Sequence, residues 1–239
     1  MKAMLLVTAA ALAFSGSAFA ADHNFAAAGA RGTAHQRVIH APPKGSTTLY
    51  DQNIGDGSYG WFSQTLSSYP QYNEYLADDF VVPAGHVWKI KEVDTTGFYY
   101  IEAGPASSVN VLIWNDKKGL PSTKNGPAVE CDNLTPNDNA GSFQIKLPKS
   151  CSVKLKGGKS GKRYWLTVQA NMAGPGTSGY WAWLSNTSVA NNEGAGYYYG
   201  GGGSVADQRC LTQFETISDC NAWTPIDLAF AIQGKDVSK

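Results

Sequence analysis

From Thr47 onward the chain repeats one pattern, a short alternating or apolar run closed by a cluster of Gly, Pro, Asn or Asp. Beyond the first twenty residues no segment keeps a 3.6-residue hydrophobic period over three turns, so helices cannot supply the core. In Val109-Asn110-Val111-Leu112-Ile113 the valines and Ile113 share one side. In Ser152-Val153-Lys154-Leu155-Lys156 the apolar residues point in and both lysines out. Turn clusters stand at Pro83-Ala84-Gly85, Asn115-Asp116-Lys117-Lys118-Gly119, Lys156-Gly157-Gly158 and Ala173-Gly174-Pro175-Gly176. About a dozen short strands result, among them Leu76–Val82, Val109–Trp114, Tyr164–Ala170, Tyr180–Leu184, Gly196–Tyr199 and Leu228–Gln233. Trp88 and Ile90 share a parity that Val93 breaks, which predicts a bulge near Lys91-Glu92. The expected fold is all-β, an antiparallel β-sandwich of jelly-roll type. The 12 Tyr, 7 Trp and 26 Gly against 3 Met agree with sheet and turn rather than a helical bundle.

The amino end reads as an address. Met1-Lys2 is followed by an apolar run to Phe14, and Ala18-Phe19-Ala20 forms an A-x-A cleavage site. The run spans about 11 residues where a membrane span needs roughly 20. Residues 1–20 are thus expected to be a signal peptide, 21–46 a flexible Ala/Gly-rich linker, and 47–239 a single domain. Cleavage near Ala20 implies a secreted, periplasmic or cell-envelope protein with no membrane span in the mature chain. Its 19 basic and 19 acidic residues balance, so no net charge draws it to nucleic acid. Four cysteines in an exported chain should pair. Sequential pairing, Cys131–Cys151 and Cys210–Cys220, closes two loops of modest length and is favoured among the three connectivities.

Signatures of catalysis are thin. His86 is the one histidine of the folded part, no cysteine is free under the pairing above, and no G-x-S-x-G elbow occurs. Glu92-Val93-Asp94-Thr95-Thr96-Gly97 is similar to part of the E-x-D-x-x-E strand of jelly-roll glucanases, but Gly97 stands where the second Glu is needed. A structural calcium would want six to eight oxygens, and its candidate ligands are Asp51, Asn53, Asp56, Asp78, Asp79 and Asp227. Asp and Asn capping turns is the competing account of the same residues.

The aromatic strings carry the functional expectation. Trp181 and Trp183 point to one face of a strand, roughly 7 Å apart, and Tyr197-Tyr198-Tyr199 runs into Gly200 to Gly203. Such rings offer a platform on which sugars stack; the commoner fate of strand tryptophans is the core. A basic stretch, Lys146, Lys149, Lys154, Lys156, Lys159, Lys162 and Arg163, offers contacts to an anionic polymer, or simply guards exposed strands against edge pairing.

Ala77-Asp78-Asp79-Phe80-Val81-Val82-Pro83, Ser108-Val109-Asn110-Val111 with Trp114-Asn115-Asp116-Lys117-Lys118-Gly119-Leu120-Pro121, Tyr164 to Ala170, and Asp227 to Ile232 form a further set of strings. Together they resemble a group of secreted bacterial β-sandwich modules of uncharacterised function. The resemblance covers Leu49 to Gly234 and implies fold and export rather than an activity. The expectation is a non-catalytic exported module that binds carbohydrate or another cell-surface polymer. The alternatives are a structural or adhesive envelope protein that binds other proteins, and a glycan hydrolase.

Overall fold

The structure, a computed structural model, describes residues 30–31, 41–54, 59–101, 104–151, 153–186, 188–198, 208–221 and 225–238. The described residues are mostly strand, arranged in sheets of eight, six and five members. The eight-stranded sheet runs Val129–Leu134, Ser108–Lys117, Lys162–Met172, Gln64–Leu66, Glu74–Val82, Ala195–Tyr198, Glu215–Thr216, with Leu120–Pro121 hairpinned onto Ser108–Lys117. The six-stranded sheet runs Asn137–Asn139, Ser142–Lys146, Val87–Thr95, Phe230–Asp236, Thr47–Asp51, and Val153–Lys156 also pairs with Val87–Thr95. The five-stranded sheet centres on Tyr180–Asn186, between Tyr59–Phe62 and Gly97–Tyr100. Among the described strands pairing is antiparallel except where Gln64–Leu66 lies parallel to Lys162–Met172. That short strand wedges between Lys162–Met172 and Glu74–Val82, which pair directly further along, so the eight-stranded sheet closes partly on itself.

Alternation explains the core. Leu76 and Phe80, Val109, Val111 and Ile113, and Leu166 and Val168 turn inward from the eight-stranded sheet. They share one buried cluster with Trp88, Ile90, Val93, Ile145, Phe230 and Ile232 of the six-stranded sheet. Phe80 stacks on Trp88 with centroids 6.2 Å apart. The opposite face of the eight-stranded sheet is apolar too, where Ala77, Leu112, Trp114, Trp165, Ala195 and Phe214 form a second buried cluster.

Local detail obeys the turn chemistry. The expected bulge is present: Gln233 opposes Glu92 but Gly234 opposes Ile90, leaving Lys91 as the extra residue. Gly234 is needed there, because a Cβ would lie 2.2 Å from the Lys89 carbonyl oxygen. Lys118 and Gly119 take φ of +59° and +83° at the tip of the hairpin that joins Ser108–Lys117 to Leu120–Pro121. A two-residue turn with both φ positive matches the right-handed twist of the strands it joins. Both cysteine pairs are disulfide-bonded as expected, Cys131–Cys151 and Cys210–Cys220, each with Cα atoms 5.8 Å apart. No strand was expected at Val129–Leu134, whose Glu, Asp and Asn hide the pattern, and Ala30–Arg31 forms a two-residue strand inside the segment read as linker.

Candidate ligand-binding site

The indole platform is corrected by burial. Trp181 and Trp183 are both 0% exposed, so no sugar can stack on them. Their strand is central in its sheet, and Trp181 stacks on Phe143 at 4.9 Å while Trp183 meets Phe230 edge-on at 6.2 Å. Their N–H groups donate to the carbonyls of Gly141 (2.7 Å) and Ala229 (2.8 Å), which completes their role as core. Tyr197 has a different place. It lies half-buried on the outer face of the eight-stranded sheet, stacked on Tyr75 at 5.7 Å and 23°. Tyr198 pairs through its backbone with Glu74. Its side chain and all of Tyr199 lie outside the described residues.

Phe214 continues this ring series, edge-on to Tyr197 (5.7 Å) and to Trp114 (5.4 Å). It also forms one wall of a surface cavity of about 250 Å³, together with Gln213. The opposite wall is built from the hairpin tip, with Lys117, Lys118 and Leu120, and from the next turn, with Ser122, Thr123 and Lys124. Ser122 is positioned by its N–H donating to the Asn115 carbonyl (2.9 Å), and Gly126 N–H closes the turn on the Thr123 carbonyl (3.2 Å). Among the described residues none of the three lysine ammonium groups is paired with a carboxylate, and none of the lining side chains is acidic. The neighbouring acids are occupied. Asp116 accepts from Trp165 Nε1 (3.0 Å) and Gly119 N–H (3.4 Å), and Glu215 accepts from Gln213 Nε2 (2.5 Å) and faces Arg209 (3.4 Å).

Of the candidate calcium ligands, Asp78, Asp79 and Asp227 lie near enough to repel one another, and each is engaged by its own donors. Asp51 is exposed and caps the Asn53 N–H (2.9 Å), while Asn53 is buried and accepts from Thr96 Oγ1 (2.6 Å). Asp56 lies outside the described residues. Asp78 and Asp79 are adjacent on one strand, so their carboxylates leave opposite faces. Asp78 accepts from Leu228 N–H (2.5 Å), Gln52 Nε2 (2.8 Å) and Asp79 N–H (2.7 Å). Asp79 instead pairs with Arg163 (2.7 Å), and Asp227 accepts from Ala190 N–H (2.5 Å). Burial, and then the charge of Asp227, holds Asp78 well above the usual carboxylate range. Burial pushes Asp79 up to about 6 against the pull of Arg163, and pushes Asp227 up to about 7. Among the described residues no three Asp, Glu, His or Cys side chains form a metal-holding group.

The glucanase-like string also receives a structural account. Glu92 and Asp94 are buried on one face of Val87–Thr95, with Gln144 donating to Glu92 (3.0 Å) and Gln233 to Asp94 (2.5 Å). Burial and the charge of Glu92 raise Asp94 to about 7. A third carboxylate has no room at position 97, where even a Cβ would sit 2.6 Å from the Ala182 carbonyl oxygen and 2.8 Å from Trp181 Nε1. His86 is hydrogen-bonded to Asp236, and Ser238 bonds that same Asp236 rather than the imidazole, so the triad order is wrong.

Sequence reasoning missed the lysine cavity. Lys117 and Lys118 were visible only as turn residues, and Gln213 and Phe214 belong to a segment without alternation. The basic stretch singled out instead is dispersed, with Lys154 and Lys156 on exposed strand positions flanking buried Val153 and Leu155. Compared with protein-family models, curated proteins and solved structures, the chain matches none.

Proposed function

We propose that this chain is an exported, non-catalytic β-sandwich module of jelly-roll type that binds carbohydrate or another cell-surface polymer. Its binding face is the outer side of the eight-stranded sheet around Tyr75 and Tyr197, which pack against buried Phe214. One observation carries the reading: a stacked, half-exposed tyrosine pair opens beside a cavity whose walls bear hydroxyls, an amide and ammonium groups. Flat rings beside hydrogen-bond donors are what a sugar face requires. The shared core of the eight- and six-stranded sheets supports the sandwich, and the two disulfides together with the A-x-A site support export. The likeness to secreted bacterial β-sandwich modules belongs to the same reading.

The test is retention of residues 21–239 on insoluble cellulose, chitin and peptidoglycan. Retention on at least one polymer, lost in Tyr197→Ala with the far-UV spectrum and the cooperative thermal melt preserved, is the expected result. No retention on any polymer overturns the reading. A second reading, an adhesive envelope protein that binds other proteins, is favoured by a separate patch. There Phe62 meets Tyr180 (5.2 Å) and Tyr100 (6.0 Å) on the surface of the five-stranded sheet, beside Ile101, which is 61% exposed.

A further inference from the structure

We propose that the cavity bounded by the Lys118-Gly119 hairpin tip and Phe214 selects acidic polysaccharides, seating one carboxylate- or sulfate-bearing sugar among Lys117, Lys118 and Lys124. This rests on the polymer-binding reading above and names its substrate class.

Three features of the cavity point the same way. Its three ammonium groups have no carboxylate partner among the described residues, although Asp116 and Glu215 lie close by in the fold. Those two acids are directed to other donors, Glu215 to Arg209 among them, so neither ion-pairs with the lysines, whose ammonium groups remain open to a ligand. The hairpin tip places a lysine where lysine is disfavoured. Lys118 sits at φ +59°, a conformation ordinarily left to Gly, Asn or Asp, and its side chain lines the cavity. Size sets the third constraint. A volume of 250 Å³ is below the roughly 300–1,000 Å³ of pockets that enclose a whole small molecule, and it suits one unit of a chain that continues across the surface. Next to the cavity wall, Tyr197 packs against Phe214 and Tyr75 against Tyr197. Rings for sugar faces and ammonium groups for anions, with Ser122, Thr123 and Gln213 for hydroxyls, describe an anionic sugar better than a bare polyanion.

Isothermal titration with soluble polymers of matched length tests this. Polygalacturonate supplies carboxylates, dextran sulfate supplies sulfates, dextran is neutral, and polyglutamate is anionic without sugar rings. The expected result is binding of one or both acidic polysaccharides about tenfold or more tighter than dextran at low salt. Affinity should fall with salt at a log–log slope of up to about 3, one counterion per lysine. In the variant Lys117→Gln/Lys118→Asn/Lys124→Gln the preference and most of the slope disappear, so that the acidic polysaccharides bind no more tightly than dextran. The stronger of the two acidic arms identifies the anion. Equal binding of dextran and the acidic polymers, or a preference that survives the triple substitution, overturns the inference and leaves polymer binding standing. Polyglutamate binding as tightly as polygalacturonate also overturns it, in favour of general polyanion attraction. No binding of any of the four overturns this inference, while the polymer-binding reading still stands or falls with retention on cellulose, chitin and peptidoglycan.

Discussion

Replacing Glu74 by Gln should stabilise the protein at alkaline pH and do little in acid. Glu74 is 5% exposed at the start of Glu74–Val82, on the face that also carries Leu76 and Phe80 into the core. Its Oε2 has no hydrogen-bond partner in the described structure. The one compensating contact comes from Gln64, whose own Oε1 accepts from the Trp181 N–H (2.8 Å), leaving its amide to donate to the carboxylate. Burial therefore raises Glu74 from an ordinary 4.5 to about 8. A carboxyl raised on folding holds its proton in the native state after the unfolded chain has lost it. Stability from the neutral form is thus complete below about pH 4.5 and is lost progressively as pH rises towards 8. Between pH 5 and pH 8.5 the loss amounts to about 4 kcal/mol, a large part of the roughly 5–15 kcal/mol that holds a domain folded. Glutamine is nearly isosteric with the protonated acid and does not titrate, so Glu74→Gln removes this slope. Urea unfolding of both proteins at the two pH values, with disulfides intact, reads it directly. The expected outcome is a variant-minus-parent difference that grows by several kcal/mol from pH 5 to pH 8.5. A difference that stays constant would refute the reasoning, because it would mean the carboxylate is ionised and satisfied in the folded state. Asp79, Asp94 and Asp227, raised to between about 6 and 7, act with the same sign and remain in both proteins.

Two further outcomes separate the core from the candidate site. Cys210→Ser/Cys220→Ser opens a ten-residue separation and Cys131→Ser/Cys151→Ser a twenty-residue one, each worth about 3 kcal/mol by loop closure. Thermal melts should register similar losses for both. Polymer retention should fall only for the first, because Gln213 and Phe214 lie inside its loop. Trp181→Phe should cost about 1–3 kcal/mol in urea unfolding by stranding the buried Gly141 carbonyl, and should leave polymer retention unchanged. Lost retention in a folded Trp181→Phe protein would restore that residue to the binding face.

The strands that were legible are those in which one face is apolar and the other is not. Val109 to Ile113 and Val153 to Leu155 announce their faces by composition, and both lie where alternation places them. The bulge at Lys91 was legible for the same reason, since an extra residue in one strand is what shifts the parity of its inward positions. Val129–Leu134 was not, because its inward residues include Cys131, which reads as a disulfide half rather than a strand residue. Trp181 and Trp183 show the limit of a period of two. It states that two rings share a face but not which face is covered, and here the covering comes from Phe143 and Phe230 on distant strands.

The candidate site was hidden by a related circumstance. The eight-stranded sheet buries apolar residues on both faces, and its second face is covered by residues 208–216 rather than by another sheet. That cover is held by a disulfide and by single aromatic contacts of Phe214, so it leaves no periodic trace in the sequence. Long-range closure of this kind brings Gln213 and Phe214 to a hairpin tip almost a hundred residues earlier in the chain. A hairpin can present lysines anywhere on a surface. Only the stapled segment turns Lys117, Lys118 and Lys124 into one side of a cavity, and for that reason binding should track the Cys210–Cys220 bridge more closely than it tracks overall stability.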